Sequence, residues 1–246
     1  MAQSVWRGLR RVFAPAATGT TLQAQRASKP AFLREIDIFR DLLPEDFTWL
    51  AQTTRMVTVP RGGIVYRQED RAEGLFLLKR GRVRLYRLST NGRKLELAVL
   101  EPGTFFGEMP LLAERMRNAS AEALDDATLC VLSRSDIERL VLRRPQVALR
   151  MLDVLSRRLA ECEVRLEELA YRSVPARVAL VLLRLGAQSG GVVEGMTHQE
   201  LGDMVGAHRE TVTKVLDGFE ASGLIELARQ RIRIVDRPGL ARLLET

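Results

Sequence analysis

The side chains best placed to act together lie on a short helix-forming stretch near the C-terminal end. Val212, Val215, Leu216 and Phe219 recur at helical spacing, which turns Arg209, Glu210, Thr213, Lys214 and Asp217 to the opposite side. A face mixing guanidinium, carboxylate, hydroxyl and ammonium groups can bond base edges or phosphates. It can equally be the solvated side of an ordinary helical hairpin, and spacing alone leaves both open. Catalytic and metal chemistry have less to work with. His198 and His208 are the only histidines and Cys130 and Cys162 the only cysteines. They form no disulfide framework, zinc set or haem and iron–sulfur cluster. No Ser/His/Asp set, paired carboxylates in a cleft motif or phosphate-binding loop occurs, so the chain does not read as an enzyme.

The elements that must position the exposed face are legible around it. Thr197-His198-Gln199-Glu200 forms a capping box, in which Thr197 satisfies an orphan amide and Glu200 reaches back. Leu201, Met204 and Val205 give that helix an apolar side, Gly206 permits a tight turn, and Gly223 ends the second helix. Leu224–Leu227 and Arg231–Val235 then read as a two-stranded wing over Ala228-Arg229-Gln230. Two short helices about one glycine, followed by a wing, fit helix-turn-helix geometry.

Upstream, a short helical segment is expected at Asp37–Leu43, with Pro44 opening another turn. Short strands follow at Met56–Val59, Ile64–Tyr66, Leu75–Leu78, Val83–Leu88, Leu95–Leu100, Ala119–Ala123 and Thr128–Leu132, with Asn91-Gly92 as a hairpin turn. Their even spacing suggests an antiparallel barrel or roll. Ser133 or Ser135 caps a helix through Leu142, and Pro145 starts a longer one. In it Ala148, Leu152, Leu155, Leu159, Cys162, Leu166 and Leu169 recur at spacings of four and three, flanked by charges. That heptad seam is expected to pair two copies in parallel, although a helix buried within one domain can carry a similar stripe. Ser173-Val174-Pro175 breaks the helix, and Gly186–Gly195 is expected as a loop.

With 246 residues, 46% hydrophobic and 28% charged, the chain can hold two modest soluble domains. No apolar run nears the roughly 20 residues that cross a bilayer. The net charge of +7 is no argument for a polyanionic partner, since Arg7, Arg10, Arg11, Arg26, Lys29 and Arg34, with no acid before Glu35, hold six of it. Residues 1–35 read as a poorly ordered basic tail, the alternative being a short helix with Val5, Trp6, Leu9, Val12 and Phe13 against a membrane surface or phosphate backbone. No secretory signal is present, and two cysteines suit a reducing, cytoplasmic setting.

Gly195–Glu226, above all His198-Gln199-Glu200-Leu201 with Val205-Gly206-Ala207-His208-Arg209-Glu210-Thr211-Val212, resembles the DNA-binding domain of the cyclic-AMP receptor protein/fumarate-nitrate regulator (CRP/FNR) family. Gly81, the Phe105–Ser120 cassette, the long helix and the wing follow that family's order, so the resemblance spans about residues 36–235. It implies a recognition helix in the major groove, with Arg209, Glu210 and Lys214 reading base edges. Arg209 would grip guanine O6 and N7, and Glu210 would accept from cytosine N4. Lys214 stands where arginine is usual and cannot fork in the same way, so preference there is looser. Thr197, Thr211, Thr213, Arg229 and Arg231 are implied as phosphate contacts.

The cassette resembles the family's phosphate-binding one, which implies a cyclic nucleotide, cyclic AMP or another, held by Gly107, Glu108, Arg117 and Asn118. Alternatively, Glu108 and Arg117 simply pair in an empty site. The segment between them is one residue short, and Asn118 replaces a serine or threonine. Cys162 and Glu163 fall where hydroxyl residues face adenine in the cyclic-AMP receptor. Adenine recognition is therefore not supported, and neither the cysteine cluster of the family's oxygen sensors nor the haem-ligand histidine of its carbon-monoxide sensors is present.

The expectation is an α+β homodimer: basic tail 1–35, cyclic-nucleotide-binding-like jelly roll 36–143, dimerisation helix and hinge 144–174, and winged helix-turn-helix 175–246. Leu152, Leu155, Leu159, Cys162, Leu166 and Leu169 form the expected dimer interface. The implied function is transcription regulation on palindromic double-stranded DNA, with RNA polymerase as a further partner of an activator. Rival readings are strict dependence on cyclic AMP, and a cyclic-nucleotide module with a non-DNA output.

Overall fold

The computed structural model describes residues 31–244, apart from 73, 91, 93 and 109–115. The expected N-terminal tail up to residue 30, Asn91 of the hairpin turn and Pro110 of the cassette lie outside the described residues. The chain divides into two compact units, one comprising residues up to Arg87 with Ala98–Arg157, the other Leu88–Leu97 with Arg158–Thr246.

In the first unit, residues 31–35 are helical, a 3₁₀ turn covers Asp37–Phe39 and helix α1 spans Pro44–Thr53. Strands follow at Arg55–Val59 (β1), Ile64–Tyr66 (β2), Gly74–Arg80 (β3), Val83–Leu88 (β4), Lys94–Leu100 (β5), Phe105–Phe106 (β6), Ser120–Ala123 (β7) and Ala127–Ser133 (β8). They form two four-stranded sheets, ordered β1-β8-β3-β6 and β2-β7-β4-β5. β3 pairs antiparallel with β8, with Leu75 opposite Leu132, Phe76 opposite Val131, Leu77 opposite Cys130 and Leu78 opposite Leu129. Because strand side chains alternate, the pair feeds two cores. Leu75, Leu77, Cys130 and Leu132 pack with Leu33, Phe39 and Leu50 of the N-terminal helical region. Phe76, Leu78, Leu129 and Val131 pack with Phe106 of β6 and with Val65, Val83 and Ala121 of the second sheet. A strand pair buried on both faces reads as a continuous apolar run, which is what GLFLLKR and ATLCVLS supply.

Helix α2 (Arg134–Arg143) begins at Ser133, whose hydroxyl accepts from the Asp136 amide; Ser133, not Ser135, is the cap. Asp46, with a fully buried residue surface, accepts from the Leu43 amide at 3.1 Å and from Arg144 Nε at 2.7 Å, tying α1 to the end of α2. Helix α3 runs from Pro145 to Tyr171. Val147, Met151 and Val154 pack on the first core, whereas Leu152, Leu159 and Leu166 are 57%, 61% and 67% exposed.

In the second unit, helix α4 (Val174–Ala187) starts on a Ser173 cap with Pro175 in its first turn. Helices α5 (His198–Val205) and α6 (Arg209–Ala221) are joined through Gly206, at φ 66°. That left-handed conformation favours glycine and closes α5. Strands Ile225–Ala228 (β10) and Arg231–Ile234 (β11) form the wing, and helix α7 (Arg237–Arg242) follows. Val192–Glu194 (β9) adds a third strand to β11, inside the segment expected as a loop. Three residues of VVE beside glycines carry too short an alternation to be seen in advance. Val178 and Leu182 from α4, Leu201 and Val205 from α5, and Val212, Leu216 and Phe219 from α6 share one core with Ile225, Ile232 and Leu240.

Leu77→Ala, at a fully buried position, should cost about 2–5 kcal/mol in urea unfolding. Leu142→Ala, at 84% exposure, should change stability by less than about 0.5 kcal/mol.

Candidate functional site

Two sites emerge, one in each unit. In the first, the cassette is built around Arg117. Its backbone is pinned to the turn before β3: the Arg117 amide donates to Asp70 O at 2.8 Å, and the Glu69 amide donates to Arg117 O at 2.8 Å. The side chain is 95% buried by accessible surface. Nη1 donates to the Gly107 carbonyl at 2.6 Å and Nη2 to the Gly74 carbonyl at 2.9 Å. The guanidinium lies 4.3 Å from the Tyr66 ring centroid and 5.3 Å from that of Phe76, and Phe76 stacks on Phe106 at 5.3 Å. Cation–π attraction in this half-cage helps offset desolvation. Burial pushes the guanidinium below the usual arginine pKa, and Tyr66, Glu108 and Asp70 oppose that shift. An arginine so held stays cationic at neutral pH. Its Nε–H is buried and has no hydrogen-bond partner among the described residues.

Gly107 sits at φ 78°, and a Cβ there would come within 2.5 Å of Arg117 Nη1. Glycine is required on both counts: the backbone conformation and the close approach. Glu108 is buried beside it. Gly107, Glu108 and Arg117 are thus brought together, whereas Asn118 is exposed. Sequence reasoning missed Tyr66, Phe76 and the Gly74 carbonyl. A tyrosine and a phenylalanine in short strands are ordinary core residues by pattern, and a backbone acceptor leaves no trace in residue types. Cys162 and Glu163 are both exposed on α3.

In the second unit the recognition surface is built on α6. Val212, Leu216 and Phe219 fix one side in the core, and Arg209, Glu210, Lys214 and Asp217 are exposed on the other. At 3.6 residues per turn, the outward positions from Arg209 to Asp217 sweep an arc of about 140°. Neither Arg209 nor Lys214 enters an ion pair among the described residues, so both charges are available to a polyanion. Glu210 in the first turn sits favourably at the positive end of the helix.

The threonines are more committed. Thr197 Oγ1 donates to Glu200 Oε2 at 2.8 Å and accepts from the Glu200 amide at 3.2 Å, completing the expected capping box. Thr213 Oγ1 donates to the Arg209 carbonyl at 3.0 Å and lies 2.8 Å from His198 Nδ1. While Thr213 donates to the carbonyl, His198 must donate from Nδ1, which fixes the tautomer. His198, not singled out from sequence, therefore ties the start of α5 to α6. Only the packing of one helix across the other pairs residues fifteen positions apart. Thr211 is half-buried. On the wing, Arg229 is exposed in the turn beside Gln230 at φ 53° and has no ion-pair partner among the described residues. Arg231 shares its charge with Glu194 at 3.5 Å, and Arg233 forks onto Glu226 across the strands.

Comparison with known proteins agrees with this geometry. Residues 56–144 match the model of the cyclic nucleotide-binding domain, and residues 176–243 that of the Crp-like helix-turn-helix domain. The chain is 36% identical to a cyclic AMP receptor protein of Thermus thermophilus, over 80% of this chain and 91% of that one. It is 31% identical to a CRP-like cAMP-activated global transcriptional regulator of Mycobacterium tuberculosis, over 85% of this chain and 97% of that one. A solved CRP/FNR-family transcriptional regulator from Thermus thermophilus superposes with a TM-score of 0.63 at 31% identity, covering 78% of this chain and 99% of that one. A CRP/FNR-family structure from Eubacterium rectale gives a TM-score of 0.77 at 24% identity, covering 87% and 100%. These relatives are transcription regulators, not enzymes, and with a nucleotide-binding-type sheet domain before a winged helix-turn-helix the chain belongs to the CRP/FNR family of DNA-binding transcription regulators.

Proposed function

We propose that the protein acts as a homodimer on two-fold symmetric DNA, reading bases through Arg209, Glu210 and Lys214, with little dependence on cyclic AMP. The observation that carries the reading is the α6 surface. Three core residues lock the helix in place while two cations without ion-pair partners and one carboxylate stand on its outer face. Arg229 on the wing supplies a sequence-independent phosphate contact, joined more weakly by Arg231, whose charge Glu194 partly answers. Thr197, Thr211 and Thr213 lie near the helix starts, where an acceptor-rich backbone would meet them, with Thr197 and Thr213 spending their own protons inside the protein.

Pairing of α3 helices is supported by the exposure of Leu152, Leu159 and Leu166 on a heptad line that continues through Leu155, Cys162 and Leu169. The sensor reading rests on Arg117, which already holds two carbonyls with the groups that would grip a phosphate. Cys162 and Glu163 offer no hydroxyl for adenine. A cyclic nucleotide remains the class of effector the cassette suits, held by Gly107, Glu108 and Arg117 with Asn118 at the edge. Its effect is bounded by how much better it binds the DNA-competent state. The setting is the cytoplasm, and as an activator the protein would act beside RNA polymerase. No helix among the described residues is long and apolar enough to cross a membrane.

Arg209→Ala should cost about 1–3 kcal/mol on a cognate site and relax discrimination at one base pair. Arg229→Ala should weaken all sequences alike and reduce the salt slope by about one. Fluorescence anisotropy on specific and random duplexes separates the two, and an equal loss on both for Arg209→Ala would refute the recognition-helix assignment. For the interface, Leu159→Glu places two carboxylates across the dyad and should yield monomers in analytical ultracentrifugation. An intact dimer would count against the seam. For the sensor, titrating one DNA site with and without saturating cyclic AMP should change affinity by less than about threefold, equivalent to under 1 kcal/mol. A large increase that disappears in Arg117→Ala would overturn that reading. Because Arg117 also satisfies two carbonyls, the same variant should lower the urea midpoint by the equivalent of about 2–4 kcal/mol at unchanged m-value.

A further inference from the structure

A cavity of about 350 Å³ lies wholly within the second unit, with walls from Leu95–Leu97, α3, α4 and α5. It falls within the range of roughly 300–1,000 Å³ usual for small-molecule sites. None of its walls comes from the cassette around Arg117. Leu95, Leu97, Val181, Leu185, Met204 and Val205 make it predominantly apolar. The backbone is drawn tight here: a Cβ on Gly206 would meet Leu169 Cδ2 at 3.3 Å and Leu95 Cδ1 at 3.6 Å, so residue 95 and α3 both reach the end of α5.

The lining carries three arginines, Arg165, Arg177 and Arg184, against two glutamates, Glu96 and Glu168. Arg184 and Glu168 satisfy one another at 2.6 Å. Arg165 and Arg177 instead bond neutral carbonyls: Arg165 Nη1 donates to Leu97 O at 2.5 Å, and Arg177 Nη1 to Leu169 O at 3.0 Å and Arg172 O at 3.3 Å. Arg177 Nε–H is buried with no hydrogen-bond partner among the described residues. The combination is an apolar hollow bordered by two guanidinium groups that no carboxylate answers in these bonds. An alkyl chain ending in an anion meets both features, since the chain replaces water against the aliphatic walls and the head group is paired by arginine.

We propose that this cavity binds an amphipathic anion, a medium-chain fatty carboxylate, with its chain against Val181, Leu185, Met204 and Val205 and its carboxylate drawn by Arg165 and Arg177. The site does not depend on the DNA reading. Cys162, Leu166 and Leu169 of the proposed dimer seam touch one edge, so the variants that test it are placed on α4 instead.

Isothermal titration calorimetry of the full-length protein with decanoate, below its micellar range, should show saturable binding. Decyltrimethylammonium, with the same chain and the opposite charge, should bind at least about tenfold more weakly. Val181→Trp, which fills the hollow, should abolish the decanoate heat, with a ligand-free thermal melt confirming that the variant folds. Arg177→Gln keeps the cavity and should weaken decanoate about tenfold while leaving decyltrimethylammonium unchanged, and it decides the matter if Val181→Trp fails to fold. No saturable decanoate binding to the unaltered protein, equal affinity for the two chains, or full decanoate affinity in Arg177→Gln would each overturn the proposal.

Discussion

Strands β3 and β8 have no solvent face, and that constraint organises the whole first unit. A lone sheet can turn one side to water; this pair cannot, because Leu75, Leu77, Cys130 and Leu132 leave on one side and Phe76, Leu78, Leu129 and Val131 on the other. Two further layers must therefore exist, the N-terminal helices on one face and the second sheet on the other. Extending the pair sideways through β6 delivers Phe106 into the inner core one residue before Gly107. Both faces of β6 are buried, Phe105 in the helical core and Phe106 in the inner one, so the chain enters the cassette from a strand held on both sides.

The inner core explains why a charge can sit at its edge. Arg117 is buried next to Tyr66, Phe76 and Phe106, where an isolated guanidinium would be costly. It is retained because two carbonyls and two ring faces replace most of its water. Its Nε–H has no hydrogen-bond partner among the described residues, as is also true of Arg84 Nε and Arg177 Nε. A phosphate at this site would have to compete with the Gly107 and Gly74 carbonyls for the same Nη groups, which would limit the free energy it could contribute to a population shift.

Legibility in the sequence followed the length and regularity of each signal. Val83–Leu88 was legible because apolar residues with interspersed arginines lie between the Gly81 turn and the Asn91-Gly92 turn. Residues 197–206 were legible through the capping box and Gly206, since both rest on local geometry that the residue types dictate. β6, with two residues, and β9, with three, were not, because their pairing is decided by partners far along the chain. The same distinction runs through the sites. Arg209, Glu210 and Lys214 could be assigned to an outer helical face from spacing. The Arg117 cage and the His198–Thr213 contact could not, because each joins residues from separate elements or uses a carbonyl, which every residue carries.

Helix α3 presents the remaining problem, since it carries two apolar stripes and its own fold covers one. Val147, Met151 and Val154 define the covered stripe. Leu152, Leu159 and Leu166 define the other, about a third of a turn away around the helix at 100° per residue. A single exposed leucine on a soluble protein needs no explanation. Three at successive heptad positions are another matter, because together they form a continuous strip too narrow to pack on a sheet and of the width that a second helix covers. The strip repeats every seven residues, not every eleven, so a partner following it winds left-handed and can stay in contact from Leu152 to Leu169. A copy of α3 itself meets those terms, with the same strip, the same period and charged flanks of both signs to fix the register. The covered stripe holds α3 to its own core, and the uncovered one is the face that the proposed dimer would bury.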